Sequence, residues 1–181
     1  PMALRKDALQ VSARIMQEVV ACALRHQPHG RGTVGMVQVF PNSRNVIPGR
    51  VKFSIDLRNA TDTLVDQMAD EVKAFAAKVA KDSGLDVKIE MVSSYPAQVF
   101  HPDCVDAVAR AAKKLGYSNM PAVSGAGHDA VYMAKLAPAG MIFIPCKDGI
   151  SHNEIEDAKP EHITAGCNVL LHAMMERAGV V

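Results

Sequence analysis

Residues 51–58 alternate without interruption: Val51, Phe53, Ile55 and Leu57 against Lys52, Ser54, Asp56 and Arg58. A period of two puts every apolar side chain of such a run on one face of a strand, so something else in the chain must cover that face. Two amphipathic segments can do so. Residues 6–26 carry Leu9, Ala13, Met16, Val20 and Leu24 at helical spacing, with Gln10, Arg14 and Glu18 along another face. Residues 64–81 carry Leu64, Met68, Val72, Phe75 and Val79, after a capping turn at 59–63 and before the stop signal Asp82-Ser83-Gly84. Thr33–Phe40 reads as a second strand, and Val87, Ile89 and Met91, alternating with Lys88 and Glu90, as a third. This order predicts a small α+β sandwich with helices on one face of a sheet.

The pattern changes at residues 93–101, where Pro96 and Pro102 bracket a hinge-like stretch, and a domain boundary is placed near residue 97. Beyond it, Asp103 is expected to cap a helix running to Leu115. Residues 128–136 read as a short helix and 160–177 as a long one. Residues 140–145 form an uninterrupted apolar run of the kind found in a parallel strand buried on both sides. The expected fold class is therefore α/β overall.

A chain of 181 residues allows one domain or two small ones, and 49% hydrophobic residues can fill a core. Lys+Arg 20 against Asp+Glu 19 leaves a net charge of +1 with no basic block, which argues against a nucleic-acid partner. No apolar run approaches membrane-span length, so no membrane partner is expected. Cys22, Cys104, Cys146 and Cys167 are far apart, form no Cys-x-x-Cys pair and lie in apolar contexts, the pattern of reduced core or near-core thiols in a cytoplasmic protein.

The polar residues that could carry chemistry gather in a few loops. Ser124-Gly125-Ala126-Gly127-His128-Asp129-Ala130 precedes the apolar run 140–145, and Gly149-Ile150-Ser151-His152-Asn153 follows it, where α/β sheets place ligands. On spacing alone His152 is open to two readings, a surface loop histidine or a metal ligand. Glu154 and Glu156 suit supporting or capping roles. Asp129 is open to two readings, a helix cap or part of a loop whose backbone N–H groups hold a carboxylate or phosphate. Arg58 ends its strand on the polar side, where a guanidinium could grip a carboxylate bidentately, although pairing to Asp56 at a solvated sheet edge is the simpler reading. Asn42, Arg44 and Asn45 lie in the loop before Pro48-Gly49. His26 and His29 flank Pro28 without companion ligands in sequence.

These loops resemble those of the N-carbamoyl-L-amino-acid hydrolases, a family grouped with allantoate amidohydrolases and β-ureidopropionases among dinuclear metallopeptidase-type amidohydrolases. The resemblance runs through Pro1-Met2, Asp7-Ala8-Leu9, Pro41 to Gly49, Asp56-Leu57-Arg58, Ser124 to Ala130 and Gly149 to Asn153, in order along essentially the whole chain. It implies a lid, or dimerisation, domain over residues 1–97 lacking its first strand, and the C-terminal portion of an α/β zinc-hydrolase catalytic domain over 98–181. It implies that His152 is a metal ligand, that Asn45, Arg58 and Gly125 hold a substrate carboxylate, and that His128 lies near the site. It further implies two divalent ions (Zn, Mn, Co or Ni) activating a water, a glutamate base placed upstream of residue 1, a small carboxylate-bearing substrate and a homodimer formed through the lid. On this reading the catalytic residues lie outside the chain, which is expected to be a fragment inactive by itself. An allantoate amidohydrolase, a peptidase of the same class and a purely dimerising module remain as alternatives.

Overall fold

The computed structural model describes residues 1–180, which form two compact units: Pro1–Ala97 joined by Val123–Gly125, and Gln98–Ala122 joined by the chain from Ala126 onward. The architecture is mixed α/β.

In the first unit, α1 (Ala8–Arg25) starts at Asp7, whose side chain accepts hydrogen bonds from the backbone N–H groups of Leu9 and Gln10. A short carboxylate at this position satisfies donors the helix cannot pair internally. Next come β1 (Arg31–Thr33), β2 (Val37–Phe40), β3 (Arg50–Phe53) and β4 (Asp56–Arg58). Thr61 caps α2 (Asp62–Asp82), and Gly84, at φ 64, lets the chain leave it.

The expected strand Thr33–Phe40 is two strands, and so is 51–58. β2 pairs with β3 and β1 with β4, both antiparallel. Thr33 lies opposite Asp56 and Val37 opposite Phe53, so three residues on one strand face two on the other. That extra residue is a bulge, which bends the ribbon and divides it in two. The alternation survives the bend: Val51, Phe53, Ile55 and Leu57 are half-buried, whereas Lys52, Ser54, Asp56 and Arg58 are exposed.

α1 and α2 cover the apolar face. Val11 and Ile15 meet Ala76, Val79 and Ala80, while Val19, Cys22 and Ala23 meet Met68 and Val72, so the helices run antiparallel. The buried stripe of α2 follows the expected one. That of α1 does not: Val11, Ile15, Val19 and Cys22 are buried, whereas Leu9, Val20 and Leu24 are exposed. α1 has apolar side chains on adjoining faces, and close approach decides between them. A Cβ on Gly32 of β1 would lie 2.6 Å from the Val19 carbonyl oxygen, so β1 can rest only against this side of the helix.

The second unit holds α3 (Pro102–Lys114), α4 (Asp129–Met133) and α5 (Pro160–Arg177). Ala107, Ala111 and Ala112 of α3 pack on Val169 and Ala173 of α5. His101, not Asp103, caps α3: its Nδ1 accepts from the Asp103 N–H at 3.3 Å, and Asp103 occupies the first turn. Asp129 likewise opens α4 from inside the helix, after His128 in extended backbone. The expected strands at 87–91 and 140–145 are absent. No described segment pairs with either one, and a strand without a ladder partner leaves its backbone groups unsatisfied. Of the four thiols, all free, Cys22 is buried and Cys104 and Cys146 are half-buried. Cys167 is exposed, contrary to expectation, because α5 buries only Val169 and Ala173.

Candidate functional site

β4 presents Asp56 and Arg58 on the same face, two residues apart, and the two side chains pair. Arg58 Nε donates to Asp56 Oδ1 at 2.7 Å and Nη2 to Oδ2 at 2.9 Å. Nη1 donates to the Gly125 carbonyl oxygen at 2.8 Å, a contact between positions 67 residues apart that lies within the first unit. Donation from Arg58 holds the Asp56 carboxyl below its usual range, and Asp56 raises Arg58 in turn. These contacts fix the plane of the guanidinium and leave N–H groups over for a further acceptor. A half-exposed guanidinium so held can offer its remaining N–H groups to an anion such as a carboxylate without first having to be oriented.

Of the other residues expected to bind substrate, Asn45 is exposed in the loop between β2 and β3, where its Oδ1 accepts from Ser43 Oγ at 3.4 Å. Asn42, in the same loop, holds the left-handed conformation at φ 58. Arg50 closes the loop base by lying 4.2 Å over the Phe40 ring. Gly125 engages Arg58 through its carbonyl oxygen, and a Cβ there would meet nothing, so the position does not need glycine for space.

His128 and His152 belong to the second unit. The His128 ring packs edge-on against Phe143, with centroids 5.5 Å apart. His152 stands exposed at φ 55 in the loop between Cys146 and Asp157, which is closed by a 2.7 Å bond from the Lys147 N–H to the Asp157 carbonyl oxygen. Glu156 caps the loop from inside, its Oε2 accepting from the His152 N–H at 2.8 Å.

Another cluster lies at the end of α1. Cys22 Sγ lies 3.6 Å from Glu71 Oε2 and 3.7 Å from the Met68 carbonyl oxygen, two acceptors that share its single S–H. His26 Nε2 lies 2.8 Å from Glu71 Oε1, and Arg25 bridges Glu71 and Glu18. Arg25 and His26 together hold the Glu71 carboxyl down to about 2, and burial raises the Cys22 thiol. The four-residue spacing of Cys22 and His26 was a legible signal that went unused. Glu71, contributed by α2, had none, so His26 has companions that its own loop does not show.

The ligands present do not fit a two-metal centre. Near His152, one oxygen of Glu156 is engaged with the His152 backbone N–H and the other accepts from Cys146 Sγ at 4.0 Å, and His152 is in no group of three convergent ligands among the described residues. Among the described residues, Cys22, His26 and Glu71 form the group of three convergent metal-binding side chains, enough for a single ion and on a different unit from His152. No helix among these residues is long and apolar enough to cross a membrane.

The sequence profile of peptidase family M20/M25/M40 matches residues 10–176. An N-carbamoyl-L-amino-acid amidohydrolase of Rhizobium meliloti is 44% identical over 181 residues, which is 100% of this chain and 44% of that protein. An allantoate amidohydrolase of Bacillus subtilis is 30% identical over 98% of this chain and 43% of its own length. The crystal structure of an amidase of the hydantoinase/carbamoylase family from Burkholderia multivorans superposes with a TM-score of 0.93 at 52% identity, covering 98% of this chain and 43% of that one. The chain thus spans less than half the length of the relatives it matches.

Proposed function

The chain belongs to peptidase family M20/M25/M40, on its hydantoinase/carbamoylase side, and from that premise we propose that it is the C-terminal part of an amidohydrolase acting on N-carbamoyl-L-amino acids. The reaction is hydrolysis of the carbamoyl C–N bond, giving the amino acid, CO2 and ammonia. The observation that carries this reading is the Arg58 guanidinium, oriented by Asp56 and the Gly125 carbonyl. A charged fork held in advance suits a small substrate with a free carboxylate better than an internal peptide segment.

In this proposal residues 1–97 form the lid and dimerisation domain, and 98–181 a C-terminal portion of the catalytic domain. Arg58 and Asn45 hold the substrate carboxylate, the Gly125 loop steadies Arg58, and His128 borders the site. His152 serves as one metal ligand, with the general base and the other ligands supplied from outside this chain. The exposed α1 stripe of Leu9, Val20 and Leu24 supports a second copy packing on this unit. The resemblance to an allantoate amidohydrolase keeps allantoate as the alternative substrate.

The test is Arg58→Ala in the full-length enzyme, assayed with N-carbamoyl-L-amino acids, N-carbamoyl-β-alanine and allantoate. Loss of a charged hydrogen bond of about 1.5–3 kcal/mol lowers kcat/KM roughly tenfold to hundredfold, mostly through KM. An unchanged kcat/KM contradicts the assignment, and the substrate turned over fastest by the parent identifies the acyl group.

A further inference from the structure

The cluster at the end of α1 has no part in the proposed reaction, yet its donors are those of a metal site. We propose that Cys22, His26 and Glu71 bind a single thiophilic divalent cation, Zn2+ in preference to Mg2+ or Mn2+, which clamps the end of α1 to α2. Cys22 and His26 stand four residues apart and so project from the same side of the helix, a spacing that lets two ligands share one ion. Glu71 meets them from the facing helix, and one ligand atom from each of the three lies within 4.8 Å of the others.

Zinc bonds of about 2.0–2.3 Å in tetrahedral array put donor atoms roughly 3.3–3.7 Å apart. The 3.6 Å separation of Cys22 Sγ and Glu71 Oε2 already meets this. His26 Nε2 lies 2.8 Å from the other carboxylate oxygen, Oε1, so the carboxylate must turn for one oxygen to serve the same ion as both Cys22 and His26. Arg25 does not block the change, because it also holds Glu18 and keeps that carboxylate when Glu71 turns to the ion. A thiolate with Glu18, Glu71 and Arg25 leaves a net negative pocket that a divalent cation neutralises. Loading replaces the S–H bond of Cys22 by a metal–sulfur bond and releases that proton to solvent.

Exposure suits the assignment. Cys22 is fully buried and the His26 side chain is 15% exposed, while Glu71, at 41%, leaves a route for the ion and room for a water as fourth ligand. Thiolate and imidazole together select zinc or cobalt over magnesium and manganese. The site is independent of Arg58 and His152, so it stands or falls apart from the proposed hydrolase.

The experiment titrates the 181-residue chain with Co2+, reading the thiolate-to-cobalt charge-transfer absorption, then displaces Co2+ with Zn2+. The expected result is one Co2+ per chain, displaced by Zn2+, with a rise in melting temperature on loading. Affinity should fall at least tenfold in both Glu71→Gln and His26→Gln and stay unchanged in Cys167→Ser, which removes an exposed thiol of the second unit. Glu71→Gln removes a half-open side chain and should keep the fold, checked by circular dichroism, so the test does not depend on truncating the buried Cys22. Absence of the thiolate band in the wild-type chain, or a Co2+ affinity in Glu71→Gln or His26→Gln equal to that of the wild type, overturns the proposal.

Discussion

The two units bury apolar sequence to different degrees. In the first, two helices lie on a bent ribbon, and Val19, Cys22, Met68 and Val79 are almost wholly withdrawn from water. In the second, the contact of α3 with α5 is sealed mainly by alanines, and Phe143 in the apolar run 140–145 stays 51% exposed. Beside that run an open groove of about 440 Å3 is lined by Val108, Ile142, Ile144, Ile163 and Leu170. The first unit closes its core with its own elements. The second carries a run with the composition of a central strand but no described neighbour to pair with. Local pattern therefore suffices where the covering helices are near in sequence, and falls short where the partner is not.

Core truncation probes this contrast most strongly. Met68→Ala should cost about 2–5 kcal/mol through lost burial and a residual cavity. Met174→Ala, at a side chain 61% exposed, should cost well under about 1 kcal/mol. Denaturant melts followed by hydrogen exchange in each unit separate the two, and equal losses would erase the distinction. Next in size is Gly30→Ala, whose new Cβ would lie 2.5 Å from the Ala23 carbonyl oxygen and 2.6 Å from that of His26. Backbone cannot yield as a flexible side chain does, so a loss of about 1–3 kcal/mol is expected. Gly125→Ala, which meets nothing, should leave the melting temperature unchanged.

The smallest effect is a pH dependence confined to the first unit. Folding lowers the Glu71 carboxyl from an ordinary 4.5 to about 2, chiefly through donation from Arg25 and then from His26. The folded form binds this proton less tightly than the unfolded chain. The stabilisation is therefore complete above the unfolded value and is lost as pH falls from there through the folded one. The carboxylate is partly exposed, so solvent screening keeps the effect modest. In metal-free buffer the melting-temperature gap between wild type and Glu71→Gln should narrow as pH drops from about 6 to about 3. A constant gap would mean the network contributes nothing to folding.

Much of the fold was legible from periodicity. The long helices and the alternating face of 51–57 stand where spacing put them, because each is specified by residues close in sequence. The bulge that divides the ribbon was not, since nothing in 34–36 marks one residue too many until the opposite strand is known. The buried side of α1 was misread because two apolar stripes compete and β1, resting close on Val19 and Ala23, decides between them. Residues 87–91 and 140–145 have strand composition but no ladder, and pairing is a property of two segments. At the site, the pairing of Arg58 with Asp56 followed from alternation. The approach of Gly125 to Arg58 and of Glu71 to His26 spans long stretches of chain and left no mark in either local pattern.

In the proposed function this chain orients the substrate carboxylate but does not hold a complete catalytic metal centre. The direct test is hydrolysis of N-carbamoyl-L-amino acids by the 181-residue chain with added Mn2+ or Zn2+, beside the full-length enzyme. The expected result is turnover by the full-length enzyme and none by the short chain above the metal-only blank. Robust metal-dependent turnover by the short chain would contradict it, because a working centre would then have to lie within these residues.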